Sequence, residues 1–151
     1  MQHADEYTEG SWYGNDTLWR TICDICRVVM YADKNGVMMQ NPQRKMFILA
    51  DMIVSGEKEG PLCPSSKAVG MLVGGWEQIA VDKTIAALMG FEAEKFPSIT
   101  NANFGDRYKL PENDVTVSSN NMAFHEKSAP EIRKTVEQFI PTSGWAKWLE
   151  N

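Results

Sequence analysis

Two short apolar runs lie in the middle of this chain, separated by a loop rich in glycine and acidic residues. "MFILADMIV" covers 46–54 and "AVGMLVGG" covers 68–75. Each run is too short for a good helix and is apolar at successive positions, which is typical of a strand covered on both faces. A connection of about a dozen residues just allows a crossover. The pattern therefore predicts strands of a parallel or mixed sheet.

Helical patterns flank these runs. The segment after Asn15 is periodic to about Tyr31, and its apolar stripe is expected to face the core. A second helix follows Gly75 and ends at Gly90, and a third begins at Ser128 and extends to about 139. The stripe of the first helix consists of Leu18, Ile22, Ile25, Cys26 and Val29, widened by Trp19, Cys23 and Met30.

Further segments complete the expected architecture. "DVTVSS" (114–119) predicts a third, less hydrophobic strand at an edge, and "SGWAKWLEN" predicts a final short helix. Strands interleaved with helices predict an α/β fold of three layers, with a mostly parallel or mixed sheet flanked by helices. Residues 11–151 are expected to form this single domain, and residues 1–10 a loose arm.

Composition narrows the class of protein. The chain has 151 residues and a formal net charge of −5, so a nucleic-acid surface, which needs clustered Lys and Arg, is not expected. No apolar run approaches the length of a membrane span, and the acidic N-terminus does not resemble a signal peptide. The sequence has only three cysteines, an odd set that favours reduced thiols. These features predict a cytoplasmic protein.

Acidic residues around the first predicted strand are the main candidates for a site. Asp51 interrupts the strand, and Glu57 and Glu59 follow it between glycines. Ligands of α/β proteins gather beyond the carboxyl ends of strands, where such carboxylates can bind Mg²⁺ or Ca²⁺ or a small molecule. Asp82, within the second helix, is the fourth candidate. The alternatives are a solvated turn for the two glutamates and a local cap or packing role for the two aspartates.

Two other motifs suggest chemistry less specifically. Gly74 and Gly75 precede a helix and could cradle an anion, but tight packing of strand on helix is the commoner explanation of such a pair. Cys23 and Cys26 form a CxxC pair in the middle of a helix, on or beside its apolar face. A core role is the simpler interpretation, and neither a zinc site nor an iron–sulfur cluster is expected from the cysteines.

The chain also resembles a known family. The stretches "GSWYGNDTLWRT", "RKMFILADMIVSGEKEGPL", "VGMLVGG" and "AVDKTIAALMGF" are similar, in order, to the family called domain of unknown function 362. Lys58 stands where that family often has glycine, and the cysteine pair is not typical of it. The resemblance implies a site at the acidic loop, and it implies that this chain corresponds to the C-terminal part of a longer protein. The positions that match the acidic loop and the helix of that family are Asp51, Gly56, Glu57, Glu59, Gly60, Pro61, Leu62 and Asp82.

Two functional hypotheses follow. The first is an α/β domain that binds a small molecule or a divalent metal at the acidic glycine loop, and it requires the four carboxylates to converge. The alternative is a non-catalytic module that docks to itself or to a partner subunit through exposed Trp and Met residues. The sequence leaves open whether the protein is an enzyme.

Overall fold

A computed structural model describes residues 12–105, 107–114 and 116–149. The predicted arm at 1–10 lies outside these residues. The elements are, in chain order, α1 (Leu18–Tyr31), β1 (Ile48–Glu59), β2 (Cys63–Gly75), α2 (Gln78–Leu88), a 3₁₀ turn (Ala93–Lys95), α3 (Pro97–Thr100), α4 (Ala129–Arg133) and α5 (Ser143–Leu149).

The three-layer α/β prediction is wrong. The described residues contain a two-stranded antiparallel sheet, β1 paired with β2, and five short helices. Both strands run on through the segment that the sequence suggested was a loop, so only residues 60–62 connect them. A connection this short joins antiparallel strands, because a parallel pair needs a crossover of a dozen residues or more.

The hairpin contains an irregularity near its middle. Met52 pairs with Met71, but Val54 pairs with Ala68, so the register shifts between them. Gly70 has a φ of +74° there, a conformation that favours glycine. The side chain of Asp51 accepts the N–H of Ile53 at 2.8 Å beside this shift. The interruption of the apolar run by an aspartate is thus a local cap on the irregularity.

The predicted third strand does not join the sheet. Val117 forms one isolated antiparallel bridge with Lys127, and the two-strand sheet has no further neighbour among the described residues. Val115, in the middle of the predicted strand, lies outside the described residues. The segment carries few apolar residues, so it gains little by covering the hairpin.

Local signals at the ends of helices are confirmed. The helix α2 ends at Leu88, and Gly90 follows with a φ of +82°. An added Cβ on Gly90 would lie 2.6 Å from the Cα of Gln138, so the chain passes closely here. The helix α4 begins after Ser128 with a capping box to Glu131. The helix α4 ends at Arg133, whereas the sequence predicted a helix that extends to about 139.

The helix α1 buries only one edge of the predicted apolar stripe. Cys23, Met30 and Tyr31 are buried, and Trp19 and Cys26 are half-buried. The other members of the predicted stripe are exposed. These residues, which we call the α1 stripe, are Leu18, Ile22, Ile25 and Val29.

Two clusters of buried side chains form the core. One lies between α1, α2 and the segment from the 3₁₀ turn to Leu110, and it includes Cys23 and Ile99. The other joins β1, α2 and the C-terminal elements through Met52, Phe91 and Ile132. Among the residues that the structure describes, no helix is long and apolar enough to cross a membrane.

Candidate functional site

The acidic loop of the sequence is the tip of the hairpin, and Glu57 there contacts the C-terminal segment. Its Oε2 accepts the N–H of Ile140 at 3.1 Å and lies 3.4 Å from the Nζ of Lys67. The N–H of Lys58 donates in turn to the carbonyl of Ile140 at 2.8 Å. These bonds place residue 140 against the tip as a short extension of the hairpin.

Glu59 binds the same segment one step further on. Its Oε1 accepts the N–H of Ser143 at 2.9 Å, and its Oε2 accepts the hydroxyl of Ser143 at 3.2 Å. Ser143 is the first residue of α5, and the N–H groups of the first turn of a helix have no partner within it. Glu59 therefore acts as an N-terminal cap that is supplied by a distant part of the chain.

The electrostatics of Glu57 agree with this structural role. The N–H of Ile140 holds the pKa of Glu57 below its ordinary value, and Lys67 and Lys58 add to the effect. The group is charged at neutral pH, and its acceptor capacity is directed at protein donors. Carboxylates arranged in this way connect two segments of chain and leave fewer oxygen positions for a cation.

Asp82 lies in different surroundings. Desolvation of its carboxyl raises the pKa of Asp82 above its ordinary value. The residue as a whole is still solvent-exposed. Burial, and next the charge of Asp82, raise the pKa of Cys26, so this carboxyl lies near α1. Neither Glu57 nor Lys67 perturbs it. Asp82 thus lies close enough to Cys26 for its charge to act there.

The four predicted carboxylates are not brought together. Glu57 and Glu59 hold the C-terminal segment, Asp51 caps the irregularity of the hairpin, and Asp82 faces α1. Within the described ranges, no group of three or more His, Cys, Asp or Glu residues is placed to hold a metal ion.

Gly74 and Gly75 pack closely against their neighbours. A Cβ on Gly75 would lie 2.8 Å from Cγ2 of Val81 in α2, and a Cβ on Gly74 would lie 2.8 Å from the ring of Phe47. The second glycine lets the strand approach the helix, and the first makes room for an aromatic ring on the sheet. The alternative interpretation from the sequence, close packing, accounts for both.

The cysteines are free thiols. Cys23 is buried, and burial raises its pKa above the ordinary value. Cys26 is half-buried beside it, and Cys63 is exposed at the start of β2. A raised pKa keeps a thiol protonated, so the CxxC pair has the character of core residues.

One surface was missed by the sequence analysis because it requires knowing which face of the hairpin is covered. Leu49 is 64% exposed, Val54 66% and Leu72 60%, and all lie on the side of the sheet away from the helices. Phe47 and Trp76 lie beside the end of this side, with ring centroids 4.9 Å apart. We call these five side chains the outer face.

A second feature is a cavity of about 770 Å³ along β2, which we call the β2 slot. Residues 70–76 form one wall and residues 116–121 the other. Its floor is formed by α2 and α4, through Ala80, Thr84, Leu88 and Ile132. In sequence these residues are distributed over four segments without a shared motif, so no local signal could have identified the slot.

Comparisons with known proteins add no relative. No family model matches the chain, and no curated protein and no solved structure matches it either. The resemblance to domain of unknown function 362 stays a prediction.

Proposed function

We propose that this chain is a non-catalytic protein-interaction module that self-associates through the outer face. The observation that carries the proposal is the exposure of three large aliphatic side chains, Leu49, Val54 and Leu72, on one side of a two-stranded sheet. The helices cover one face of this sheet, and its other face presents these apolar side chains to solvent. A second polypeptide chain is the natural cover.

The size of the surface supports this proposal. Five side chains that are each exposed by half or more present on the order of 400 Å² of apolar area. That is the range in which an apolar patch on a monomer is often functional. A standard interface buries about 800 Å² on each partner, so the outer face would form the apolar centre of such an interface.

A second copy suits this surface because the surface carries little charge. Asp51 is the acidic residue beside Leu49, and its carboxylate already accepts the N–H of Ile53. Two copies related by a twofold axis would present the same apolar side chains to each other. The free thiols agree with the cytoplasmic location that forms part of this proposal.

The small-molecule and metal hypothesis has less support. It depended on convergence of four carboxylates, and two of them accept N–H groups of the C-terminal segment. A ligand at the hairpin tip would compete with Ile140 and Ser143 for the same oxygens. The geometry therefore favours the interaction module.

Sedimentation of the wild type across a concentration series up to about 100 μM tests the proposal. We expect a reversible dimer, and we expect Leu49→Ser/Val54→Ser to remain monomeric with an unchanged circular dichroism spectrum. The matched control is Leu62→Ser/Met122→Ser, which removes apolar side chains that are 82% and 77% exposed but lie away from the outer face. A wild type that is monomeric throughout, or a control that dissociates equally, would overturn the proposal.

A further inference from the structure

The β2 slot runs along the edge of a strand. Successive residues of a strand point to opposite faces of a sheet, yet every residue from 70 to 76 lines the slot. A cavity that touches both sets of residues lies along the edge, where unpaired N–H and C=O groups project. The sheet has two strands in the described part of the chain, so this edge of β2 has no neighbouring strand.

The opposite wall also presents unpaired main-chain groups. Val117 donates its N–H to Lys127 at 2.9 Å, and its carbonyl accepts the N–H of Glu126 at 2.8 Å. Both main-chain groups of Val117 are thus used by Glu126 and Lys127. In an extended segment the neighbouring residues, Thr116 and Ser118, direct their groups the other way. Neither donates a main-chain hydrogen bond within the described residues.

The volume of the slot fits one strand. Strands lie about 4.8 Å apart within a sheet, and a layer is about 10 Å thick, so each residue of a strand occupies roughly 160 Å³ at a rise of about 3.3 Å. The cavity of about 770 Å³ therefore accommodates about five residues in extended conformation. Both the shape and the hydrogen-bonding groups select a polypeptide backbone.

The negative charge of Glu77 at one end of the β2 slot indicates which side chain the bound peptide carries there. Glu77 lines the slot next to Trp76, and its Oε1 accepts the side-chain N–H of Asn113 at 2.7 Å. Its Oε2 is buried and has no hydrogen-bond partner among the described residues. A buried carboxylate oxygen without a donor is costly, and a cationic side chain would supply one.

We infer that the β2 slot binds an extended peptide segment of about five residues from another protein, which adds a third strand to the sheet. Alternate side chains of this peptide are apolar and contact the floor at Ala80 and Leu88. A Lys or Arg at one end of the peptide pairs with Glu77. The slot shares Leu72 and Trp76 with the outer face, but Leu49 and Val54 do not line it. The inference does not rest on the proposed function, because it is argued from the edge of β2 and from Glu77.

The test uses the full chain and a pool of synthetic peptides. Their cores alternate Val, Ile or Phe with Thr, and Lys is placed at either end. Binding is followed by nuclear magnetic resonance of the protein amides at peptide concentrations up to about 1 mM. We expect shifts and slowed amide exchange at 70–75 and at Thr116 and Ser118. Absence of any such change with the whole pool overturns the inference.

Two comparisons separate strand addition from adsorption to an apolar cavity. N-methylation of alternate peptide nitrogens removes main-chain donors but keeps the side chains, so the modified peptide should bind at least about tenfold more weakly. Ser118→Pro, which removes one N–H of the wall, should weaken binding several-fold, whereas Ser118→Ala should not. Equal binding by the N-methylated peptide overturns the inference. The inference is also overturned if peptides with a terminal Lys bind more tightly than peptides with a terminal Gln by the same factor in the wild type and in Glu77→Gln.

Discussion

Glu59 in the hairpin and Ser143 in α5 are joined by two hydrogen bonds across 84 positions of sequence. Together with the bonds that Glu57 and Lys58 form with Ile140, they attach the C-terminal segment to the tip of the sheet. The acidic loop, which in sequence suggests a ligand site, thus has a structural role in the folded chain.

Replacement of Glu59 should therefore destabilise the protein. Glu59→Ala removes the cap of α5, and loss of such a cap typically lowers the free energy of unfolding by about 1 kcal/mol. Urea denaturation measures the change. Glu94→Ala is the matched control, because Glu94 is exposed in a short turn. Equal stability of the two variants would show that α5 does not depend on Glu59.

Stability should depend on pH through Glu57. Its pKa is lower in the folded than in the unfolded chain, so its contribution is present above the unfolded-state pKa and is lost as pH falls through the folded-state value. We expect the difference in melting temperature between wild type and Glu57→Gln to be largest near neutral pH and to shrink below about pH 4. A difference that is constant from pH 7 to pH 3 would contradict this assignment.

The two adjacent glycines should differ in their tolerance of a methyl group. Gly75→Ala places Cβ 2.8 Å from buried Val81, and overpacking of this kind costs about 1–3 kcal/mol. Gly74→Ala meets the ring of Phe47, which is 54% exposed and can move aside. Thermal melts of the two variants provide the comparison. Equal losses would show that the strand does not pack on α2 as described.

The helix α1 offers a matched pair on one element. Met30→Ala should lower the free energy of unfolding by about 2–5 kcal/mol, because Met30 is buried. Ile25→Ala should change it by about 0.5 kcal/mol or less, because Ile25 is 58% exposed. The reverse order would mean that α1 packs through the α1 stripe. Urea denaturation, at a concentration where the protein is monomeric, measures the free energy of unfolding of both variants.

The sequence predicted local features better than their assembly. Gly90 and the Ser128 capping box identified helix ends, because they satisfy main-chain groups within one turn. The sheet was mispredicted because "SGEKEG" has the composition of a loop. In the folded chain, a hydrogen bond from the N–H of Ile140 to Glu57, 83 positions away, helps to hold this segment as strand. Such a contact leaves no local pattern.

The apolar side of α1 illustrates a second limit. Its apolar residues cover more than half of the helix circumference, so the sequence does not determine which part faces the core. The packing partners decide it: Cys23 and Met30 lie in the cluster with Ile99 and Ala102. The guanidinium of Arg27 donates to the carbonyl of Ala102 at 2.6 Å on the same side. The acidic loop is the hairpin tip, and its structural role depends on the position of Ile140, which no local pattern indicates.

The separation between Glu57 and Ile140 has a consequence for synthesis of the chain. The hairpin tip emerges 83 residues before its partner. At typical elongation rates this interval lasts about 4 to 17 s. Hairpins form within about 1–10 μs, so the new sheet waits for seconds with its tip carboxylates solvated and both faces open. In that interval a chaperone or a neighbouring nascent chain can reach the apolar strands before the rest of the protein does.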